Sequence, residues 1–322
     1  MIRQLFALFQ RGYVLCYCLF FCATAGYTQE QREFTVNHFT NAEALSNEWV
    51  SDILQDTNGY LWIATQYGIN RFDGREFTAH TYRPDEVTGP PGNWTKSLLV
   101  SGNNQLWLGS LGRGLNVMDT RTERFSSPGK TAGWPDFRVV DQLFEDSNGR
   151  RWAATSAGTF IQQRPGEVPK KFSLPRLRSL AETASGTVLG GGPKGIWALT
   201  EGNIEQLTDQ VARTLLPLGN DSLLFVSEDQ IRLLVREGDH WQLAEWQTAV
   251  SYDYNPFYLP RFATAPDGTY WLAEGPVVRS FRRDLSSWRT YEPGVVLGQA
   301  FDGLRVHCLF FDREGNFWWG TD

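Results

Sequence analysis

One phrase recurs along this chain: a small polar turn, then Trp, then Thr or Ser three residues further on. It reads Asp56-Thr57-Asn58-Gly59-Tyr60-Leu61-Trp62 before Thr65, and Ser101-Gly102-Asn103-Asn104-Gln105-Leu106-Trp107 before Ser110. Asp146-Ser147-Asn148-Gly149-Arg150-Arg151-Trp152 precedes Thr155, and Asp312-Arg313-Glu314-Gly315-Asn316-Phe317-Trp318 precedes Thr321. Pro266-Asp267-Gly268-Thr269-Tyr270-Trp271 is a looser copy. Trp62, Trp107 and Trp152 follow one another at intervals of 45 residues, and Trp271 and Trp318 are 47 apart. The 119 residues between Trp152 and Trp271 leave room for two eroded copies. Ser185-Gly186 before Leu189, and Asn220-Asp221 before Leu224, supply them with Leu in place of Trp. Self-similarity at a fixed period constrains architecture strongly, because each unit must bury its apolar face against its neighbours.

Each unit reads as short strands. In the first, residues 50–55 and 60–65 flank an Asp-x-Asn-Gly turn, a hairpin signal because Asn and Gly tolerate positive φ. Further strands are expected at 69–72 and 76–82. Four strands in about 45 residues match the blade of a β-propeller. The expected fold is therefore all-β: a seven-bladed β-propeller with units starting near residues 50, 96, 138, 177, 213, 261 and 306. In this reading Gly59, Gly149, Gly268 and Gly315 serve the turns, and Trp62, Trp107, Trp152, Trp271 and Trp318 tie blades together. The turns resemble a fragment of a calcium loop, but none belongs to a 12-residue loop ending in Glu. No metal and no cofactor is expected.

Residues 1–25 differ in kind. Arg3 and Arg11 precede an apolar run that ends in Ala23-Thr24-Ala25, the pattern of a secretory signal peptide. A short linker, 26–33, then leads to the propeller at 34–322. Three of the four Cys, Cys16, Cys18 and Cys22, fall inside the leader, so the exported chain keeps Cys308 alone and has no disulfide framework. Removing the leader takes two Arg and no acid, leaving 28 basic against 36 acidic side chains. That balance speaks against nucleic acid as a partner. No later stretch reaches the 18 apolar residues of a membrane span.

Residues 50–74 resemble the two-component regulator propeller repeat. The Leu45-Ser46-Asn47 lead-in, the Asp73-Gly74 close and the copies at 97–119, 139–160 and 306–322 fit the same pattern. The resemblance implies the periplasmic sensor region of bacterial hybrid histidine kinases and related signalling proteins, with output domains and a membrane segment downstream. On this reading the chain is a truncated N-terminal fragment, ending inside its seventh unit. Residues 34–40 alternate like a strand and are expected to supply the outer strand of that last blade.

Chemistry has few anchors. His38, His80, His240 and His307 show no metal-ligand spacing, and no Gly-x-Ser-x-Gly elbow is present. Asp-box turns also occur in sialidases, but the sequence does not bring Arg71, Arg113 and Arg138 together, so no catalytic residue is assigned. Topology instead points to one face, where the turns between second and third strands join the links between blades. Its ligand-binding candidates are Tyr67, Trp94, Arg113, Trp134, Lys194, Tyr254 and Tyr258, aromatic and polar groups suited to stacking on sugar rings. Two functions follow: a periplasmic sensor module for an oligosaccharide, or a passive scaffold that contacts protein or forms a homodimer.

Overall fold

The computed structural model describes the chain from residue 37 onward, except 41–44, 87–88, 103, 128–132, 201–202, 229, 239, 250–258, 286 and 298–301. The chain divides into Met1–His38 and a compact unit, Phe39–Asp322, which holds every element below. The leader and linker lie outside the described residues.

Six four-stranded antiparallel sheets follow one another in chain order. The first is β1 (Val50–Gln55), β2 (Leu61–Thr65), β3 (Gly68–Phe72) and β4 (Phe77–His80). The second is β5 (Thr95–Ser101), β6 (Gln105–Ser110), β7 (Gly114–Asp119) and β8 (Arg124–Ser126). The third is β9 (Val140–Glu145), β10 (Arg151–Thr155), β11 (Gly158–Gln162) and β12 (Lys170–Phe172). The fourth is β13 (Ser179–Glu182), β14 (Val188–Gly192), β15 (Gly195–Thr200) and β16 (Asn203–Thr208). The fifth is β17 (Thr214–Pro217), β18 (Ser222–Val226), β19 (Gln230–Glu237) and β20 (His240–Ala249). The sixth is β21 (Arg261–Thr264), β22 (Tyr270–Ala273), β23 (Val278–Phe281) and β24 (Arg289–Tyr291), followed by one short helix, α1 (Pro293–Leu297). A seventh sheet has only β25 (Val306–Phe311) and β26 (Phe317–Thr321).

The fold is a β-propeller, but its complete blades number six, not seven. The seventh unit is the incomplete one expected from the repeat count, and the residues from Val306 on supply only its two inner strands. The expected outer strand at 34–40 is corrected too. Residues 34–36 lie outside the described residues, and 37–40 form no strand. An outer strand bonds to a third strand, and none is present beside β26 among the described residues. Phe39 nevertheless stacks on Trp318, ring centroids 6.0 Å apart at 17°. Phe172 on Trp152 and Tyr291 on Trp271 make the equivalent contact from true outer strands.

The repeated phrase builds the frame. Asp56 accepts hydrogen bonds from the Asn58 and Tyr60 amides and, through Oδ2, from Trp62 Nε1 at 2.9 Å. Asp146 and Asp312 hold Trp152 and Trp318 the same way, each at 2.8 Å. The carboxylate thus closes the turn and satisfies an indole donor that burial would otherwise strand. Gly59, Gly149, Gly268 and Gly315 sit at φ between 75° and 95°, and Asn104 takes that place in the second sheet at φ 55°. At the far end of the phrase, Thr65 Oγ1 donates to the Gly68 carbonyl and Thr155 Oγ1 to that of Gly158. Two residues after the Trp, the copies carry Ala64, Gly109, Ala154, Ala273 and Gly320. A Cβ on Gly109 would stand 2.7 Å from Val140 Cγ1 of the next sheet. Small residues there let neighbouring blades close up.

Candidate functional site

In an antiparallel sheet, the start of the first strand and the turn between second and third strands share one face. Tyr67, Arg113 and Lys194 occupy those turns in the first, second and fourth sheets. All three are exposed, Tyr67 by 53%. Arg113 lies over the Tyr82 ring, 5.9 Å from its centroid, and the Lys194 carbonyl accepts from Gln206. Trp94 is half-buried in the link to the second sheet. Trp134 is a correction: it is 3% exposed, packed edge-on against Trp107 and Phe137 inside the core. Its Pro-rich link looks like a surface loop, yet Trp134 and Phe137 turn inward and pack against residues of the second and third sheets. Tyr254 and Tyr258 lie outside the described residues. These candidates share a face without forming one contact set.

A tighter constellation sits deeper on that face. Four innermost strands carry the same irregularity near their start. Pairing skips one residue between Val50 and Asp52, Thr95 and Ser97, Val140 and Gln142, and Val306 and Cys308. The residues left over are Ser51, Lys96, Asp141 and His307, each 11 residues before its Trp. A bulge frees a residue from the ladder and re-aims its side chain, and such bulges gather next to functional sites. Here the freed side chains reach sideways from blade to blade. Ser51 Oγ donates to the Thr95 carbonyl, Lys96 Nζ to Asp141 Oδ1 at 2.7 Å, and Arg176 to Asp141 Oδ2 through Nε at 2.9 Å and a terminal nitrogen at 2.5 Å.

The next residue along forms a second ring. The Leu98 amide donates to Asp52 Oδ2 at 2.7 Å, the Leu143 amide to Ser97 Oγ at 3.0 Å, and the Leu180 amide to Gln142 Oε1 at 2.7 Å. Each bond joins one inner strand to that of the following blade. Arg261 and Cys308 hold this position, ten residues before Trp271 and Trp318, in the sixth and seventh sheets.

Electrostatics follow from burial. Burial lifts the Asp52 carboxyl above the usual carboxylate range, opposed by Arg261 and by the Leu98 and Ile53 amides. Burial lowers the Lys96 ammonium, opposed by Asp141. It takes His307 down to about 4, against the pull of Asp322, and pushes the Cys308 thiol well up. His307 is therefore neutral at pH 7, its ring stacked on Trp49 at 5.2 Å. Cys308 is inert. In the sixth sheet Glu274 replaces the turn Thr and is buried against Arg279, 3.4 Å apart. A groove of about 590 Å³ lined by Gln163, Arg164, Glu167, Lys170 and Lys171 lies at the outer edge of the third sheet, away from these rings. Lysines on an edge strand such as β12 guard against edge-to-edge pairing. Among the described residues, no three His, Cys, Asp or Glu side chains are grouped to hold a metal ion, and no helix is long and apolar enough to cross a membrane.

Sequence reasoning missed the rings because it sought ligands in loops. The signal was present in four units as a β-branched residue, a polar residue and a small or polar one: Val50-Ser51-Asp52, Thr95-Lys96-Ser97, Val140-Asp141-Gln142, Val306-His307-Cys308.

Comparison with known proteins agrees with this architecture. The extracellular domain of a hybrid two component system from B. thetaiotaomicron superposes with a TM-score of 0.72 at 17% identity, covering 90% of this chain and 41% of that one. The extracellular domain of a one component system from the same organism gives 0.67 at 16% identity, over 85% and 37%. Virginiamycin B lyase from Staphylococcus aureus gives 0.63 at 16%, over 90% and 96%. At such identities the likeness is one of fold. A 59-residue stretch, 18% of this chain, is 37% identical to Histidine kinase P4 of Formosa agariphila and spans 4% of that protein. Residues 44–67 match the family model of the two component regulator propeller, and the chain carries that repeat.

Proposed function

We propose that this propeller is the extracytoplasmic ligand-sensing module of a two-component-type signalling protein, taking a small polar ligand, an oligosaccharide by the sequence reading, on the face where its inner strands begin. One observation carries this: four inner strands break their ladder at the same place and turn Ser51, Lys96, Asp141 and His307 out of it. A frame alone needs no such break, as the regular pairing of β17 with β18 and β21 with β22 shows. Export through a cleaved leader and the absence of catalysis in this module belong to the same reading. Its support is the repeat match at 44–67 and the fold shared with extracellular domains of signalling systems.

The test is a thermal-shift and calorimetric screen of the chain against oligosaccharides, with Asp141→Ala and Lys170→Ala as paired variants. Asp141→Ala should abolish any saturable response and Lys170→Ala should leave it unchanged. The opposite pattern would move the site to the outer groove and end this reading. A second reading, a scaffold pairing with another chain, rests on the outer edge of β26, which has no strand beside it among the described residues. Sedimentation of the chain as a dimer, lost on Trp319→Pro, is the result that would favour it.

A further inference from the structure

The inner rings hold more cation than the acid around them can neutralise. Lys96 and Arg176 share a single carboxylate, that of Asp141, which is 2% exposed. Arg176 stays 37% and Lys96 16% accessible while gripping the same acid, so both remain within reach of a solute. The Arg261 side chain makes no hydrogen bond among the described residues, although its charge is felt by Asp52, Lys96 and Cys308 in three other sheets. Asp52 is the acid that its charge steadies most, yet Asp52 also accepts amides on both oxygens, Ile53 on Oδ1 and Leu98 on Oδ2, and gives Arg261 no hydrogen bond. Arg178 holds the Lys96 and Asp141 position in the fourth sheet, 11 residues before Leu189, and its Nε is buried without a partner. All this occurs in a chain whose formal net charge is −6. Surplus cation therefore collects at the one place where seven blades converge.

Unpaired positive charge in a partly desolvated setting raises the free energy of the empty protein, and an arriving anion relieves it. Guanidinium forks match planar carboxylate and sulfate oxygens, and are less strongly hydrated than an ammonium. Resting on the sensor reading above, we infer that the ligand carries an anionic group, carboxylate or sulfate, which Arg261, Arg176 and Lys96 grip at the mouth formed by the inner strands. The indole of Trp94, half-buried in the link two residues ahead of Lys96, is the neighbouring flat surface for a sugar ring.

The experiment compares three probes on the full chain: a galacturonate trisaccharide, a sulfated disaccharide and neutral maltotriose. The expected result is a saturable rise in melting temperature with one or both anionic probes, absent with maltotriose and weakened by added salt. The two anionic arms tell carboxylate from sulfate. Arg261→Gln should weaken binding at least tenfold, yet the unliganded variant should melt little lower than the parent, because it loses a charge that no described residue hydrogen-bonds. Should that variant not fold, Arg176→Gln carries the same expectation of weakened binding. Equal shifts with charged and neutral sugars, no shift with either anion, or Arg261→Gln binding like the parent would each overturn the inference. A response to maltotriose alone, abolished by Asp141→Ala, would overturn it while leaving the sensor reading in place.

Discussion

Ser101 is where the repeat's own construction predicts a gain in stability. In the first and third sheets, one buried Asp accepts two turn amides and an indole donor, at 2.8–3.1 Å. In the second sheet Ser101 stands in that place, and Ser101 Oγ and Trp107 Nε1 are both buried without a hydrogen-bond partner. A buried donor left unsatisfied costs about 1–3 kcal/mol, and a bond to a charged acceptor contributes about 1.5–3 kcal/mol. Desolvating the new carboxylate works against this, offset by the buried Trp107 indole donor that has no partner. Ser101→Asp is therefore expected to stabilise the chain by about 1–2 kcal/mol, a rise in melting temperature of roughly 2–5 °C for a chain of this size. Urea denaturation of the parent, Ser101→Asp, Trp107→Phe and the double variant isolates the new bond, with an expected coupling near 1.5 kcal/mol. If Ser101→Asp stabilises as much with Phe at 107 as with Trp, the indole bond is not what the carboxylate supplies, and the reasoning fails.

Three further outcomes are expected. Gly109→Ala should cost about 1–3 kcal/mol through overpacking, since the new Cβ would stand 2.7 Å from Val140 Cγ1, and Val140→Ala in the same chain should recover part of the loss in urea melts. The His307 pKa, depressed by burial to about 4, means the unfolded chain binds the extra proton first as pH falls, so stability drops between about pH 6.5 and pH 4. His307→Gln should flatten that slope in melts taken across this window. Asp52 works with the opposite sign: burial raises its pKa, the folded state keeps the proton longer, and stability falls as pH rises from 3.8 through the folded value. Asp52→Asn should remove that fall, and an unchanged pH profile would refute the burial of its charge.

How far the sequence could be read depended on whether a feature repeats. The Asp-to-Trp turn, the closing Thr and the small residue between them appear in several copies, so their common role shows without coordinates. Trp134 occurs once, in a link rich in Gly and Pro. Such composition says surface, and only the contact with Trp107 and Phe137 says otherwise. The two-stranded seventh sheet was legible, since its copy of the phrase runs only to Asp322, but the expected outer strand at 34–40 was not a strand at 37–40, because the phrase marks where a blade begins and carries no information about its outer strands. The bulges were hidden by period. An extra residue in one strand does not alter the 45-residue spacing when its neighbours carry the same insertion, so Ser51, Lys96 and Asp141 read as ordinary strand residues.

Alignment of the copies on Trp separates frame from function in physical terms. Positions that must do the same thing in each blade, such as closing a turn or admitting the next sheet, hold the same residue type or a poorer substitute. Positions that face a common axis are under no such rule, because each inner strand contributes one side chain to a single shared surface. Eleven residues before Trp or its Leu substitute the copies read Ser51, Lys96, Asp141, Arg178, Arg213, Pro260 and His307, and one residue later Asp52, Ser97, Gln142, Ser179, Thr214, Arg261 and Cys308. No stability argument asks for that diversity, and several members carry a desolvation cost that plain aliphatic residues would avoid. A ring of unlike, partly buried polar groups on a frame of like ones is what a propeller needs to recognise one asymmetric molecule.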